Sequence, residues 1–119
     1  GNDAGVVMQR TPDSVRGPDI SYHSFERLPA KEMPVGYPEA APDLTFDVKS
    51  PSDSWSDLLS KVADLLRAGV STVCVIDPEK EIAQVYRSHE PVRLIGVDGE
   101  LEFPETLPGF RVALADVLK

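Results

Sequence analysis

At 119 residues, with 41% hydrophobic residues and eleven prolines, the chain has room for one turn-rich globular domain over residues 1–119 and no second. No apolar run approaches the roughly 18 residues of a membrane span, and no signal peptide is expected. A formal net charge of −8 argues against a protein that gathers nucleic acid through bulk positive charge, leaving only a local basic rim for that purpose.

In chain order, Ala4 to Arg10 (AGVVMQR) has the β-branched, apolar content of a short strand, and TPDSVRGP supplies a turn. In DISYHS a second strand is predicted, with Asp19, Ser21 and His23 alternating with Ile20 and Tyr22, so that Asp19 points away from the core. His23 reads as a surface histidine, because no second histidine stands at ligand spacing. Phe25 to Pro42 holds four prolines and no sustained period, and predicts a long connection, by default a surface excursion and otherwise a candidate substrate-facing rim.

The stretch PDLTFDVKSPSD, Pro42 to Asp53, predicts the strand around which the chain is arranged. Leu44, Phe46 and Val48 share one face, which asks for a core; Asp43, Thr45, Asp47 and Lys49 share the other, which carries charge. A solvated edge strand shows the same alternation. Asp47 and Lys49, roughly 6.6 Å apart along the strand, are near enough to converge on one ligand such as a hydrated cation. A second acid, in Pro18-Asp19, precedes Asp47 by 28 residues.

After the turn Ser50-Pro51-Ser52-Asp53, the sequence Ser54-Trp55-Ser56-Asp57 has capping-box spacing and predicts a helix start. Trp55, Leu58, Leu59, Val62 and Leu66 form its apolar stripe, Asp57, Lys61 and Asp64 its other side, and Gly69 its left-handed stop. Whether the helix covers the charged strand face, bringing Lys61 towards a substrate, or the opposite face, turning Lys61 to solvent, is open from the sequence. Ser71 to Ile76 and Ile82 to Arg87 predict a hairpin around Asp77-Pro78-Glu79-Lys80. The single cysteine, Cys74, lies in the apolar run VCVI with no internal partner, so a buried strand position and a reducing, cytoplasmic setting are expected. Pro91 to Val97 predicts a further strand, Asp98-Gly99 a tight turn with Leu101 to Phe103 returning, and LPGF a lead into a closing helix from about Ala113 to Leu118. Glu100, Glu102 and Glu105 read as solvated surface.

Pro18-Asp19 with Asp47-Val48-Lys49 resembles the two-part signature of the PD-(D/E)XK nuclease superfamily. The ordered series VRGPDISY, APDLTFDVKSPSD, DLLSKVADLLRAGV, VIDPEKEIAQVYR and LPGFRVALADVL is similar to the Uma-type restriction-endonuclease family within it, from about Val15 to the end. The resemblance implies an α/β (α+β) fold with a mixed central sheet flanked by helices, and a metal-dependent endonuclease acting on DNA. It implies that Asp19 and Asp47 bind Mg²⁺ or Mn²⁺, that the backbone carbonyl of Val48 adds a ligand, and that Lys49 orients the attacking water. Many relatives carry glutamate at Asp47, an apolar residue at Lys49 and their lysine on the helix at the position of Lys61; this chain has lysine at both places. The family position that is often tyrosine is Leu65 here. Relatives also carry an additional N-terminal portion before Gly1, so apolar surface is expected to lie bare or be covered in a homodimer. Asp43 reads as a strand cap rather than a ligand.

Other readings remain in view. Asp19, Asp47 and Lys49 can form an ion-pair cluster that never holds metal, and a nuclease fold can persist as a catalytically inactive binding or assembly module, which the acidic balance would suit. Phosphate-cradling glycine loops, zinc spacings and nucleophile–histidine pairs are all missing from the sequence.

Overall fold

In the computed structural model, which describes residues 6–10, 19–24 and 41–119 (for 6–10, 23 and 24 the backbone alone), six strands form one mixed sheet. In sheet order they are β1 (Val6–Arg10), β2 (Ile20–Ser24), β3 (Leu44–Val48), β4 (Thr72–Asp77), β5 (Ile82–Tyr86) and β6 (Arg93–Ile95). Among the described strands β3 and β4 make the one parallel pair, and the helix α1 (Trp55–Arg67) is the crossover that a parallel pair requires. A second, two-stranded sheet, β7 (Glu100–Phe103) with β8 (Leu107–Ala113), and a short helix α2 (Leu114–Val117) complete the described elements.

Strand β3 is central, paired with β2 on one side and β4 on the other, so its alternation is not that of an edge. Leu44 and Phe46 face the larger core, built with Cys74, Ile76, Ala83 and Val85 and closed by Leu101, Phe103, Leu107 and Leu114 from the β7–β8 unit and α2. The Phe103 ring meets Phe46 edge-on at 5.6 Å and Phe110 stacked at 5.8 Å. Thr45 and Asp47 face the other way, and that side is dry too: α1 lays Leu58 and Val62 over Val73 and Val75. The helix therefore covers the face that carries the acid. Val48, expected in the core, is half exposed because the strand ends there.

Local signals place α1 closely. The Asp57 N–H donates to the Ser54 hydroxyl at 3.0 Å, and Gly69, at φ 105°, takes the left-handed step after the Ala68 cap. Leu59 lies 45% exposed outside the stripe while Leu65 packs within it, because the 3.6-residue pitch carries Leu59 past the sheet. The β4–β5 hairpin forms as expected, its turn held by Glu79 and Lys80 N–H groups donating to the buried Asp77 carboxylate at 3.1 and 3.3 Å. Cys74 is buried in β4, and burial pushes its thiol up to about 12.

Two expectations near the C-terminus are corrected. Leu101–Phe103 does not return along β6 but leaves the main sheet to pair with β8. LPGF belongs to strand β8 rather than to a helix approach, Gly109 at φ 86° accommodating the breaker residues within the strand. Glu100 and Glu102 are at the surface, where Arg111 lies 3.3 and 3.5 Å from them. Ala4, Gly5, the TPDSVRGP turn to Pro18 and the connection from Phe25 to residue 40 lie outside the described residues, as does the His23 side chain. No helix among the described residues is long and apolar enough to cross a membrane.

Thr45, fully buried beneath α1, has a hydroxyl with no hydrogen-bond partner among the described residues. An unpaired buried hydroxyl costs about 1–3 kcal/mol, and valine keeps the shape without it. Thr45→Val is expected to raise unfolding free energy by about 1 kcal/mol in urea titration; a loss of stability would mean that the hydroxyl is satisfied.

Candidate active site

The register of β2 against β3 assembles the two motif halves. Ile20 faces Phe46 and Ser21 faces Thr45 in antiparallel pairing, so one step further Asp19 stands opposite Asp47, although 28 residues separate them. The two exchange contacts: the Asp19 N–H donates to Asp47 Oδ1 at 3.2 Å, and the Val48 N–H donates to Asp19 Oδ2 at 2.9 Å. Directly opposed like charges destabilise a sheet unless something offsets them.

Lys61 supplies the offset. Trp55 to Lys61 is roughly two turns of α1, and with the apolar stripe seated on the sheet, Lys61 falls on the flank that overhangs Asp47. Its Nζ donates to Asp47 Oδ1 at 2.8 Å, with the lysine side chain 18% and the aspartate side chain 4% exposed. Burial raises the Asp47 carboxyl above its ordinary value; the Lys61 hydrogen bond and charge oppose that shift, and the neighbouring Asp19 adds to it. Lys61 thus turns to Asp47 on the strand rather than to Asp57, four residues before it on the same helix.

Lys49 goes elsewhere. Its N–H donates to the Ile76 carbonyl at 2.8 Å, one rung beyond the end of β3, and its Nζ lies 5.9 Å from the centre of the Trp55 ring and 3.4 Å from the Ser50 carbonyl. The structure thus brings together Asp19, Asp47, Val48 and Lys61, and sets Lys49 at the margin. Asp43 acts in the backbone, its N–H donating to Tyr22 and its carbonyl accepting from Thr72.

Asp19, Asp47, Val48, Asp53, Asp57, Leu58 and Lys61 line a cleft of ≈ 450 Å³. Asp53 and Asp57 were legible as turn and cap residues, and nothing in their local pattern marks them as cleft residues; only the position just past the carboxyl end of a strand hints at it. The Asp53 carboxyl is held below its ordinary value by the Ser50 N–H at 2.8 Å, then by the Ser50 side chain, and less by the charges of Lys49 and Lys61.

The donor set fits a hard cation. Four carboxylates face one ammonium in the cleft, a surplus of negative charge that a divalent ion would offset. No three His, Cys, Asp or Glu side chains among the described residues form a self-sufficient cage. Mg²⁺ rarely uses such a cage, taking one or two carboxylates and completing its shell with water and substrate phosphate.

Over residues 1–115 the sequence matches the family model described as "Uma2: Putative restriction endonuclease". In fold it is similar to a crystal structure described as "a putative nuclease belonging to DUF820" from Anabaena variabilis, with a TM-score of 0.70 at 23% identity, covering 85% of this chain. The chain spans 58% of that protein's length. Among curated proteins no sequence matches it.

Because burial holds the Asp47 carboxyl above the ordinary 3.8, ionising it works against the metal-free fold. Its contribution to stability is full below the unfolded value and is lost as pH rises through the higher folded value. Asp47→Asn keeps an acceptor for Lys61 without that loss. In chelator at pH 7 the variant is expected to melt above the wild type, the gap closing as pH falls towards 3.8; a variant that melts lower at pH 7 would show that the Lys61 pair outweighs the burial of charge.

Proposed function

The chain belongs to the Uma2 family, and from that premise we propose that it is a divalent-metal-dependent endodeoxyribonuclease in which Asp19, Asp47 and Lys61 form the reacting centre. The observation that carries the reading is their convergence: two opposed carboxylates, one just before β2 and one on β3, and a helix lysine 2.8 Å from the inner one, in an open cleft.

Asp19 and Asp47, with the Val48 carbonyl, would hold Mg²⁺ or Mn²⁺, which when bound supplies Lewis acidity and a lowered water pKa at the attacked phosphate. The chain's own groups do the rest. Asp47, fixed by the Lys61 ammonium and the Asp19 N–H, is held in one orientation and needs no reordering when substrate arrives. Asp19, exposed and anchored through Oδ2 by the Val48 N–H, presents its carboxylate to the cleft. Lys61 brings the positive charge within reach of the same point, where it can hold a water by hydrogen bond and offset charge building on phosphoryl oxygen. Leu58 and the α1 stripe keep solvent from the floor beneath Asp47.

The second reading, a nuclease fold retained for binding or assembly, is favoured by one observation, namely that Lys61 already neutralises Asp47 without any ion. Metal affinity separates the two. Millimolar Mg²⁺ or Mn²⁺ is expected to raise the melting temperature, an ion present at about 100 times its Kd adding about 2.7 kcal/mol, and Asp47→Asn to abolish the rise. Superimposable melting curves in metal and in chelator would favour the non-catalytic reading.

On plasmid DNA, Lys61→Ala is expected to lose about two or more powers of ten in cleavage rate, the scale of a lost electrostatic group. Retention of near wild-type rate by folded Lys61→Ala would move the reacting lysine away from α1.

A further inference from the structure

Lys49 stands at the rim of the cleft, where its charge reaches Asp53 from a distance, but among the described residues it makes no ion pair or hydrogen bond with a cleft carboxylate. Its backbone is fixed by the rung to Ile76, and its ammonium lies over the Trp55 ring near the Ser50 carbonyl. Among the described residues no carboxylate comes within salt-bridge distance of it. A ring face and one long carbonyl contact hold an ammonium in place without neutralising it, and leave donors free.

That matters in a chain of net charge −8. A phosphate backbone entering a cleft lined by four carboxylates and one ammonium is repelled wherever no cation intervenes, and Lys61 is already engaged by Asp47. Lys49 lies two residues of strand rise beyond Asp47, roughly 6.6 Å, while successive nucleotides of one strand advance about 3.4 Å along the duplex axis. The backbone that carries Lys49 is therefore offset from Asp47 by a distance on the scale of one or two nucleotide steps.

Resting on the nuclease reading of the cleft, we propose that Lys49 is a phosphate-binding residue for duplex DNA, gripping a backbone phosphate beside the one attacked, with Trp55 setting its position. It takes no part in the proton or bond changes. Lysine suits this as a point charge, and one such contact releases about one counterion from DNA.

The test pairs cleavage of a duplex oligonucleotide in Mg²⁺ with anisotropy binding of the same duplex in Ca²⁺ across a salt series, on the wild type and on Lys49→Ala, Lys49→Gln, Lys49→Arg and Trp55→Leu. Alanine and glutamine are expected to raise KM and Kd about threefold or more near 0.1 M salt, leave kcat within about twofold, and flatten the slope of log affinity against log salt by about 0.9. Arginine restores both affinity and slope, and Trp55→Leu shows a smaller rise in KM. A fall of kcat by powers of ten with KM and slope unchanged overturns the proposal by putting Lys49 in the chemistry. Wild-type values throughout for Lys49→Ala overturn it while leaving the nuclease reading intact. A wild type that neither binds nor cuts duplex overturns both.

Discussion

Two carboxylates set opposite each other on adjacent strands repel, by about 1 kcal/mol at 4 Å in water and about 4 kcal/mol at an effective dielectric of 20. The β2–β3 register imposes that arrangement on Asp19 and Asp47, and burial beneath α1 pushes it towards the costlier end for Asp47. Lys61 makes it tolerable, and Lys61 is where it is because the apolar stripe of α1 must lie on Val73 and Val75. The hydrophobic seating of one helix and the electrostatics of one aspartate are thus a single constraint. Moving the helix would strip the acid of its partner.

The sheet divides labour between its faces. One face of β3 and β4 is closed by the β7–β8 unit and α2, a thick apolar core that has no part in the cleft. The other is closed by a thinner layer, where Leu58 and Val62 lie beside Thr45 and Asp47. A dry floor under a charged rim raises the electrostatic weight of each cleft group, and the same floor explains why Asp47 and Thr45 sit uneasily in the fold. Strain of this kind is expected where function and stability draw on the same residues.

Charge is distributed in keeping with that division. The acidic excess of the chain is partly spent at the surface, where Arg111 answers Glu100 and Glu102 and Arg87 answers Glu90, and partly gathered around the cleft. With a net charge of −8 the chain has no overall excess of positive charge with which to gather a polyanion, so local cations carry more weight. At and beside the cleft, Lys61 and Lys49 are held in two different ways, one against a carboxylate and one over an aromatic ring.

The sequence by itself determined what is local. Ser54 and Gly69 bounded α1, alternation in LTFDV marked β3, the apolar run around Cys74 marked a buried strand, and the ordered series of segments from VRGPDISY to LPGFRVALADVL carried the resemblance to the family whose model matches the chain. Each of these rests on periodicity, turn chemistry or motif spacing, which a few neighbouring residues carry. What only the tertiary structure decided is long-range. LPGF, Leu107 to Phe110, reads as a lead into a helix because its pairing with β7, not its own composition, makes it part of strand β8. The alternation of β3 cannot say whether its second face meets water or a helix. The identity of the lysine beside Asp47 was equally beyond reach: Lys49 is nearer along the strand, but Lys61 arrives from α1, and which one touches the acid depends on the face over which a helix folds.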